Sequence, residues 1–427
     1  MRILVLGGGG REHAIVDALL RSRHRPEVLV APGNGGTARV AANVPDLTIT
    51  DPGAVAQFAA DRDVDLVVIG PEGPLVAGVA DAVHAKGIKA FGPGATAARL
   101  EGSKAFAKGV MLRHGIPTGE SRAFGDRKLD RAVYYLERAE YPVVVKADGL
   151  AAGKGVVIAN TREEAEGAVA RCFDGAFGEA GEVVLVEEFL EGPECSLLAF
   201  TDGVTVVPME PARDHKRAFD NDEGPNTGGM GVYSPVPSID EHTVAKMTDL
   251  LQQTVTGLLK EGIRYRGVIY GGFVLTESGP KVLEYNARFG DPETQVLLPR
   301  LKSDLVDIMT AVGDGSLAGT KVLWSGDYAV SVVLASGGYP GGYETGKVIT
   351  GVEDADGMPG VKVFHAGTSL RDDGTLVTAG GRVLDVTALA PTLREARALA
   401  YDAVSKIAFD GMFYRSDIAA NVFGSEA

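Results

Sequence analysis

The sequence predicts a multidomain protein of mixed α/β and α+β class. It reads as an N-terminal parallel α/β sheet, a central α+β unit and a small C-terminal β-rich unit. Three observations predict this. The chain has 427 residues, too many for one core. Its first hundred residues alternate apolar strands with helices, the pattern of a parallel sheet. Beyond Gly102 the alternation gives way to paired strands joined by glycine-rich turns.

Residues 2–6 read as a buried strand and 12–22 as a helix, with Ile15, Ala18, Leu19 and Ser22 at helical spacing. Strands are expected at 27–30 and 65–69, a helix at 74–86 and a short strand at 88–91. Helices at 103–114 and 126–139 lie on either side of Pro117, followed by a hairpin with arms Val143–Val145 and Val156–Ile158. A helix at 161–172 and strands at 182–189, 195–200 and 204–209 continue an antiparallel pattern. Residues 212–235, rich in Gly, Asn and Asp, read as the least regular stretch of the chain. A helix at 240–261, strands at 267–275 and 281–286, and a helix at 304–312 come next. The last unit contains strands at 328–335, 361–366 and 382–387, a glycine turn at 337–342 and a helix at 392–408. The expected domains are 1–102, 103–295 with a lid at about 120–190, a helical connection at 296–327, and 328–427.

The composition is that of a soluble globular protein, 45% hydrophobic and 23% charged. A net charge of −15 argues against nucleic acid or an anionic membrane as a broad partner. Cys172 and Cys195 have no CxxC spacing, which argues against a disulfide framework or a zinc site. Residues 1–6 are too short an apolar run for a signal peptide, and no apolar stretch approaches membrane-spanning length. The expected location is the cytoplasm.

Five motifs carry candidate chemistry. The run Gly7-Gly8-Gly9-Gly10-Arg11-Glu12-His13 follows the first strand and opens a helix. Glu12 stands where a dinucleotide fingerprint needs its third glycine, which argues against a nicotinamide cofactor. A tight turn and an anion site at the helix N-terminus, with Arg11 adding charge, both remain open.

The second motif, KADGLAAGKGV from Lys146 to Val156, has the wrong spacing for a Walker A loop and is followed by a strand. Lys146 lies among Val143–Val145 and Ala147, so it is expected to be half buried and to need an anionic partner. Gly149, Gly153, Lys154 and Gly155 suit a lid that closes over phosphate; an exposed hairpin with solvated lysines is the alternative.

In the third, Leu283 to Glu293, a strand would place Glu284, Asn286 and Arg288 on one face. A carboxylate and an amide oxygen form a hard donor pair for Mg²⁺, and the arginine can reach a phosphoryl group. A half-exposed face with a salt bridge is the alternative. The fourth pairs Arg213-Asp214-His215-Lys216-Arg217 with Asn226-Thr227-Gly228-Gly229, a basic and polar loop that suits an anionic ligand or lies solvated. The fifth, Glu187-Glu188-Phe189-Leu190 to Glu194, is a strand end that could meet a flat heterocycle through its backbone, or could be a strand end alone.

Taken together these motifs resemble the ATP-grasp ligases, and within them the phosphoribosylamine–glycine ligase family. The resemblance rests on GGGGREHA (7–14), APGNGGTA (31–38), GPEGPLVAG (70–78), LEGSKAFAK (100–108), KADGLAAGKGV (146–156), EEFLEG (187–192), DHKR (214–217), GPNTGGMGVYSP (224–235) and ARFGDPETQVLLPRLKSDL (287–305). The C-terminal motifs ASGGYPGGY (335–343), VFHAGT (363–368), TAGGRVL (378–384) and YRSDI (414–418) extend it over nearly the whole chain.

The resemblance implies a central ATP-grasp domain and a ligase of purine biosynthesis. It implies ATP with Mg²⁺ or Mn²⁺, and glycine and 5-phosphoribosylamine joined through a glycyl phosphate. Lys104 and Lys146 are then expected at the ATP phosphates, under a lid of Gly149, Gly153, Lys154 and Gly155. Glu187, Glu188 and Leu190 are expected at the adenine and Glu194 at the ribose. Glu284 and Asn286 are expected to hold the metal. Arg288 and Asp291, with Lys146, are expected to be catalytic. Asp214, Lys216, Asn226, Thr227, Gly228, Gly229, Arg288 and Asp291 are expected to shape the acceptor site, and Gly9, Gly10, Arg11, Glu12 and Glu72 the phosphoribosylamine side. A monomer is expected.

Tyr270 stands where many ATP-grasp enzymes place a further metal-binding acid, and Arg213 and Pro193 are smaller departures. Three rival readings are a different ATP-grasp ligase, an ATP-sensing regulatory protein and a dehydrogenase. The acceptor-side motifs argue against the first. The intact Glu284, Asn286 and Arg288 argue against the second, and the missing glycine against the third.

Overall fold

The computed structural model describes residues 1–125, 128–150 and 155–422. Strands β1 (Arg2–Gly7), β2 (Glu27–Pro32), β3 (Ala42–Asn43), β4 (Leu66–Ile69) and β5 (Lys89–Phe91) form a parallel sheet in the order β3-β2-β1-β4-β5. Ile3, Leu4, Val5 and Leu6 are fully buried, as a central strand covered by helices on both faces requires. The helix expected at 74–86 is two helices, Glu72–Val76 and Val79–Ala85. Gly78 between them sits at φ +89°, a left-handed conformation that ends one helix before the next begins. The helices outside the sequence expectation include Pro52–Asp61 and Ala95–Gly102. Both are alanine-rich and lack a wide apolar stripe. The legible signal for the first was its cap: Asp51 accepts the Ala54 N–H at 3.0 Å, with Pro52 at the first helical position.

An antiparallel lid follows. Strands β6 (Ser121–Phe124), β7 (Val143–Ala147), β8 (Val156–Ala159) and β9 (Val184–Glu188) lie in the order β6-β9-β7-β8. Helices Leu129–Leu136 and Arg162–Arg171 cover them. Phe124, Leu136, Val145, Val169 and Val186 belong to a small core distinct from the others, so the lid coheres as a unit.

The chain then forms β10 (Glu194–Thr201) and β11 (Val206–Pro208), and next β12 (Arg213–Asp214), β13 (Arg217–Phe219), β14 (Glu223–Asn226) and β15 (Gly231–Ser234). After the helix Glu241–Lys260 come β16 (Gly267–Thr276) and β17 (Gly279–Asn286). The antiparallel sheet β11-β10-β16-β17 is backed by that helix, with Met247, Leu251, Val255 and Leu258 fully buried. This sheet shares its cores with the N-terminal one; Phe289 stacks on Phe91 at 6.0 Å and meets Phe200 edge-on at 6.1 Å.

The last strands are β18 (Tyr328–Ala335), β19 (Val361–His365), β20 (Thr368–Leu370), β21 (Leu376–Thr378) and β22 (Arg382–Ala390). The C-terminal sheet runs β12-β15-β18-β22-β19. This corrects the expectation of irregularity at 212–235. That stretch is a long hairpin whose base, Arg213↔Tyr233 and Asp214↔Val232, extends the C-terminal sheet through Gly231↔Val332. Its glycines and asparagines hide the strand pattern, and its partner strand is distant in sequence. No helix of the described residues is long and apolar enough to cross a membrane.

Two buried histidines join the N-terminal and C-terminal sheets. The His365 N–H donates to His13 Nδ1 at 2.9 Å, and the rings lie 5.4 Å apart. Burial, helped by Lys362, lowers the His13 pKa to about 3, and burial with His13 and Arg39 nearby lowers that of His365 to about 3. Both are neutral in the folded state. The unfolded chain takes up their protons first, so stability is full above the ordinary value of 6.5 and is lost as pH falls toward 3. Thermal melts between pH 7.5 and 5 are expected to show a falling midpoint, with a shallower fall in His13→Gln. Equal slopes for the two proteins would contradict this account.

Candidate active site

The site begins on β17. Its pleat buries Tyr285, and Ala287 just beyond it, while Glu284, Asn286 and Arg288 stay half-buried on the other side. Pairing with β16 sets Gly272 opposite Glu284 and Tyr270 opposite Asn286. Among the described residues, the Glu284 carboxylate has no hydrogen bond and no ion pair at contact distance. Burial alone would raise its pKa, but Lys216, Lys146, Lys104 and Arg288 overrule burial and hold it below the usual value. An ionised carboxylate with free lone pairs, next but one to an amide oxygen on the same face, fits a divalent cation. Tyr270, at the position of the missing acid, spends its hydroxyl inside the protein. It donates to Glu293 Oε1 at 3.0 Å and lies 2.7 Å from Ser196 Oγ.

The lid supplies one of the cations, and the preceding helix Lys104–Arg113 supplies another. Lys146 on β7 is 4% exposed and pairs with Glu187 of β9 at 2.8 Å. Burial does demand an anion, as the sequence suggests, but the protein itself provides one. Lys108 makes a second contact with the same Glu187 oxygen at 3.2 Å, and the other carboxylate oxygen, Oε1, is buried without a hydrogen bond among the described residues. Lys104 donates to the carbonyls of Ala147 and Gly149 at 2.9 and 3.1 Å. Burial lowers its pKa, partly offset by Glu284. Gly149 approaches Ala180 so closely that a Cβ would stand 2.9 Å from it. The Gly155 carbonyl accepts the Ala147 N–H at 2.8 Å. Gly153 and Lys154 lie outside the described residues. At the end of β9, Glu188 accepts the Glu120 N–H at 3.0 Å, and Leu190 just beyond is buried.

Arg288 bridges domains. Its guanidinium lies 3.0 Å from Glu101 and 3.4 Å from Glu72. Burial raises the Glu101 pKa against the pull of Arg288. The other Glu101 oxygen accepts the Ala287 N–H at 2.7 Å. Sequence reading missed Glu101, although it sits in LEGSKAFAK; its only local signal is an acid beside Leu100 at the buried end of a helix. In the glycine turn, Glu12 is 1% exposed. It accepts the Gly9 N–H at 2.7 Å and pairs with Arg11 at 2.6 Å. Gly7 and Gly70 make room for it, since a Cβ on Gly70 would stand 2.1 Å from Glu12 Oε1. The Glu12 carboxylate thus shapes the turn from inside, while Arg11 reaches the Phe289 carbonyl at 3.1 Å. Gly10 packs on Asp385 and Gln295.

The hairpin of β12 to β15 completes the wall. Lys216 pairs with Glu194 at 2.8 Å, so the expected ribose acid and the expected acceptor lysine are in contact. The Lys216 carbonyl accepts both the N–H and the hydroxyl of Thr227, at 2.8 and 2.9 Å. Asn226 is exposed and faces Arg217 across the hairpin. Burial raises the Asp214 pKa to about 7, against Lys216 and with Glu293 and Glu194. Arg382 of β22 joins this arm to the rest. It donates to the Gly228 carbonyl at 2.8 Å, pairs with Asp291 at 2.8 Å and lies 3.5 Å from the Gly229 carbonyl. Gln295 holds the other Asp291 oxygen at 2.8 Å. Burial opposes ionisation of Asp291, and Arg382 and Arg11 outweigh it. Arg382, Gln295 and Glu293 are further site residues that sequence reading left without roles.

A small antiparallel lid and a second antiparallel sheet, with the buried Lys146 on one and a metal-competent acid on the other, define the ATP-grasp class. Comparison with known families agrees: residues 1–101, 102–294 and 329–421 match the N, ATP-grasp (A) and C domains of phosphoribosylglycinamide synthetase. The chain belongs to that family. It is 51% identical over 426 residues to the phosphoribosylamine–glycine ligase of Rhodopirellula baltica, covering 98% of this chain and 97% of that one. It is 52% identical over 422 residues to the trifunctional purine biosynthetic protein adenosine-3 of Gallus gallus, covering 98% of this chain but only 42% of that protein. A crystal structure of the Thermotoga maritima phosphoribosylamine–glycine ligase superposes with a TM-score of 0.86 at 36% identity, covering 98% of this chain and 100% of that one.

Proposed function

We propose that the chain joins glycine to 5-phosphoribosylamine, converting ATP to ADP and phosphate. The observation that carries this is the Glu284 carboxylate, unpaired among the described residues and held ionised by Lys216, Lys146 and Lys104. It is supported by the match to all three domains of the family.

In this reading a glycine carboxylate oxygen attacks the γ-phosphorus. The bond from that phosphorus to the β–γ bridging oxygen breaks, and ADP leaves with the electron pair. The amine of the sugar then attacks the carbonyl carbon of glycyl phosphate. The bond from carbon to the phosphate oxygen breaks, phosphate leaves, and the nitrogen gives up a proton. Lys104 and Lys146 hold the nucleotide phosphates, and Arg288 meets charge on the transferring group. Glu284 and Asn286 would hold Mg²⁺ or Mn²⁺, which when bound neutralises charge on the phosphates. Asp291, fixed by Arg382 and Gln295, orients the amine. Asp214, with a pKa raised to about 7 by burial, is suited to take the proton. The backbone at Glu187 to Leu190 meets the adenine, and the Gly9–Arg11 turn with Glu72 meets the phosphoribosylamine side.

The test is ADP release from ATP and Mg²⁺, with glycine and phosphoribosylamine added separately and together. Release only with both is the expected result. Release with another amino acid in place of glycine would overturn the acceptor assignment while keeping the phosphoryl chemistry.

A further inference from the structure

The hairpin that carries Lys216 and Thr227 is held at its far end by a residue outside the site. Arg415, in the YRSDI motif, is 1% exposed. It donates to the Arg217 carbonyl at 3.1 Å, to Asp222 at 2.8 Å and to both oxygens of Asp417 at 2.7 Å. The same segment grips the hairpin through further hydrogen bonds. The Asn221 N–H donates to Asp417 at 2.9 Å, and the Ser416 N–H to Asp220 at 2.8 Å. The Tyr401 hydroxyl fixes the segment from behind by donating to the Arg415 carbonyl at 2.7 Å. Apolar burial does little at the tip. Phe219 is 51% exposed with one aromatic neighbour, Phe413, and residues 223–226 are exposed. Directional, charged hydrogen bonds therefore set where the tip lies.

The carbonyl that Arg415 takes belongs to Arg217, the neighbour of Lys216. Lys216 is in turn bonded to Thr227, whose hydroxyl accepts the Gly229 N–H at 3.0 Å. A shift at the tip passes directly into Lys216 and the Thr227–Gly229 turn. We propose that Arg415, with Asp222 and Asp417, is a positioning device for the acceptor hairpin, setting the residues that meet glycine and phosphoribosylamine without touching either. This rests on the ligase reading above. The lysines expected at the ATP phosphates, Lys104 and Lys146, make no contact with this clamp. A purely structural ion pair would change melting temperature and active fraction, but would not change the KM of the acceptors alone.

The test uses Asp222→Asn and Arg415→Lys in the full chain. Asp222 sits at φ +55°, which asparagine tolerates, so the first variant removes charge while keeping the backbone. Asp222→Asn is expected to raise the KM for phosphoribosylamine and glycine about tenfold and the ATP KM distinctly less, because the hairpin reaches the nucleotide side only through the Lys216–Glu194 pair. Arg415→Lys is expected to act in the same direction and more strongly. Amide hydrogen exchange at Lys216–Gly229 is expected to speed up about tenfold in both variants, with the lid strands unchanged. Unchanged acceptor KM values in folded variants, or an equal rise for ATP, would overturn the proposal. A wild-type protein that ignores both acceptors fails the ligase reading instead. Hydrogen exchange then still decides the clamp, and unchanged exchange at the hairpin overturns it.

Discussion

Glu284→Ala is expected to reduce ADP release about 10³-fold at millimolar Mg²⁺, with a melting temperature within a few degrees of wild type. The two outcomes separate for a physical reason. The carboxylate makes no hydrogen bond or close ion pair among the described residues, so its removal leaves no partner stranded. What is lost is an anion that Lys216, Lys146, Lys104 and Arg288 together keep ionised although each of them has other partners. Raising the concentration of Mg²⁺ or Mn²⁺ should recover part of the rate, because a weakened site binds by mass action. Steady-state rates across a metal titration, paired with melts, make the measurement. Full activity at ordinary Mg²⁺ would remove Glu284 from the metal assignment.

Arg288→Met is expected to lose about as much activity and, unlike the first variant, to destabilise the fold by about 3–5 kcal/mol. The guanidinium compensates Glu101, whose side chain is 6% exposed, as well as Glu72. Without it Glu101 must take a proton or remain an uncompensated buried charge. A double variant, Arg288→Met with Glu101→Gln, should recover much of the stability and none of the activity. Denaturant melts and ADP release on the three proteins check this. Recovery of activity in the double variant would show that Arg288 serves the fold alone.

The parts of this fold that could be read in advance are those governed by local periodicity. The apolar run of β1 and the strict alternation from Glu284 to Arg288 announce their strands, because a period of two survives any environment. Lys146 could be seen to need an anion, since a lysine among valines is costly to bury alone. Its actual partner, Glu187, comes from the far side of the lid. The pairings of Arg288 with Glu101 and of Asp291 with Arg382 join residues far apart in the chain, and no window of sequence contains both members. The hairpin at 213–234 was hidden for a different reason. Its glycines suppress β-propensity, and it becomes sheet only by adding to β18.

That addition has a consequence for how the protein is made. The strand Gly231–Ser234 pairs with residues that leave the ribosome about a hundred residues later, whereas the lid pairs only with itself. During synthesis the nucleotide-facing half can therefore mature while the acceptor arm still lacks its seat. A chain interrupted in that interval would hold the lysines proposed for the triphosphate but not the ordered hairpin proposed for the acceptors. Vectorial folding thus delays assembly of the acceptor arm until the C-terminal sheet exists to carry it.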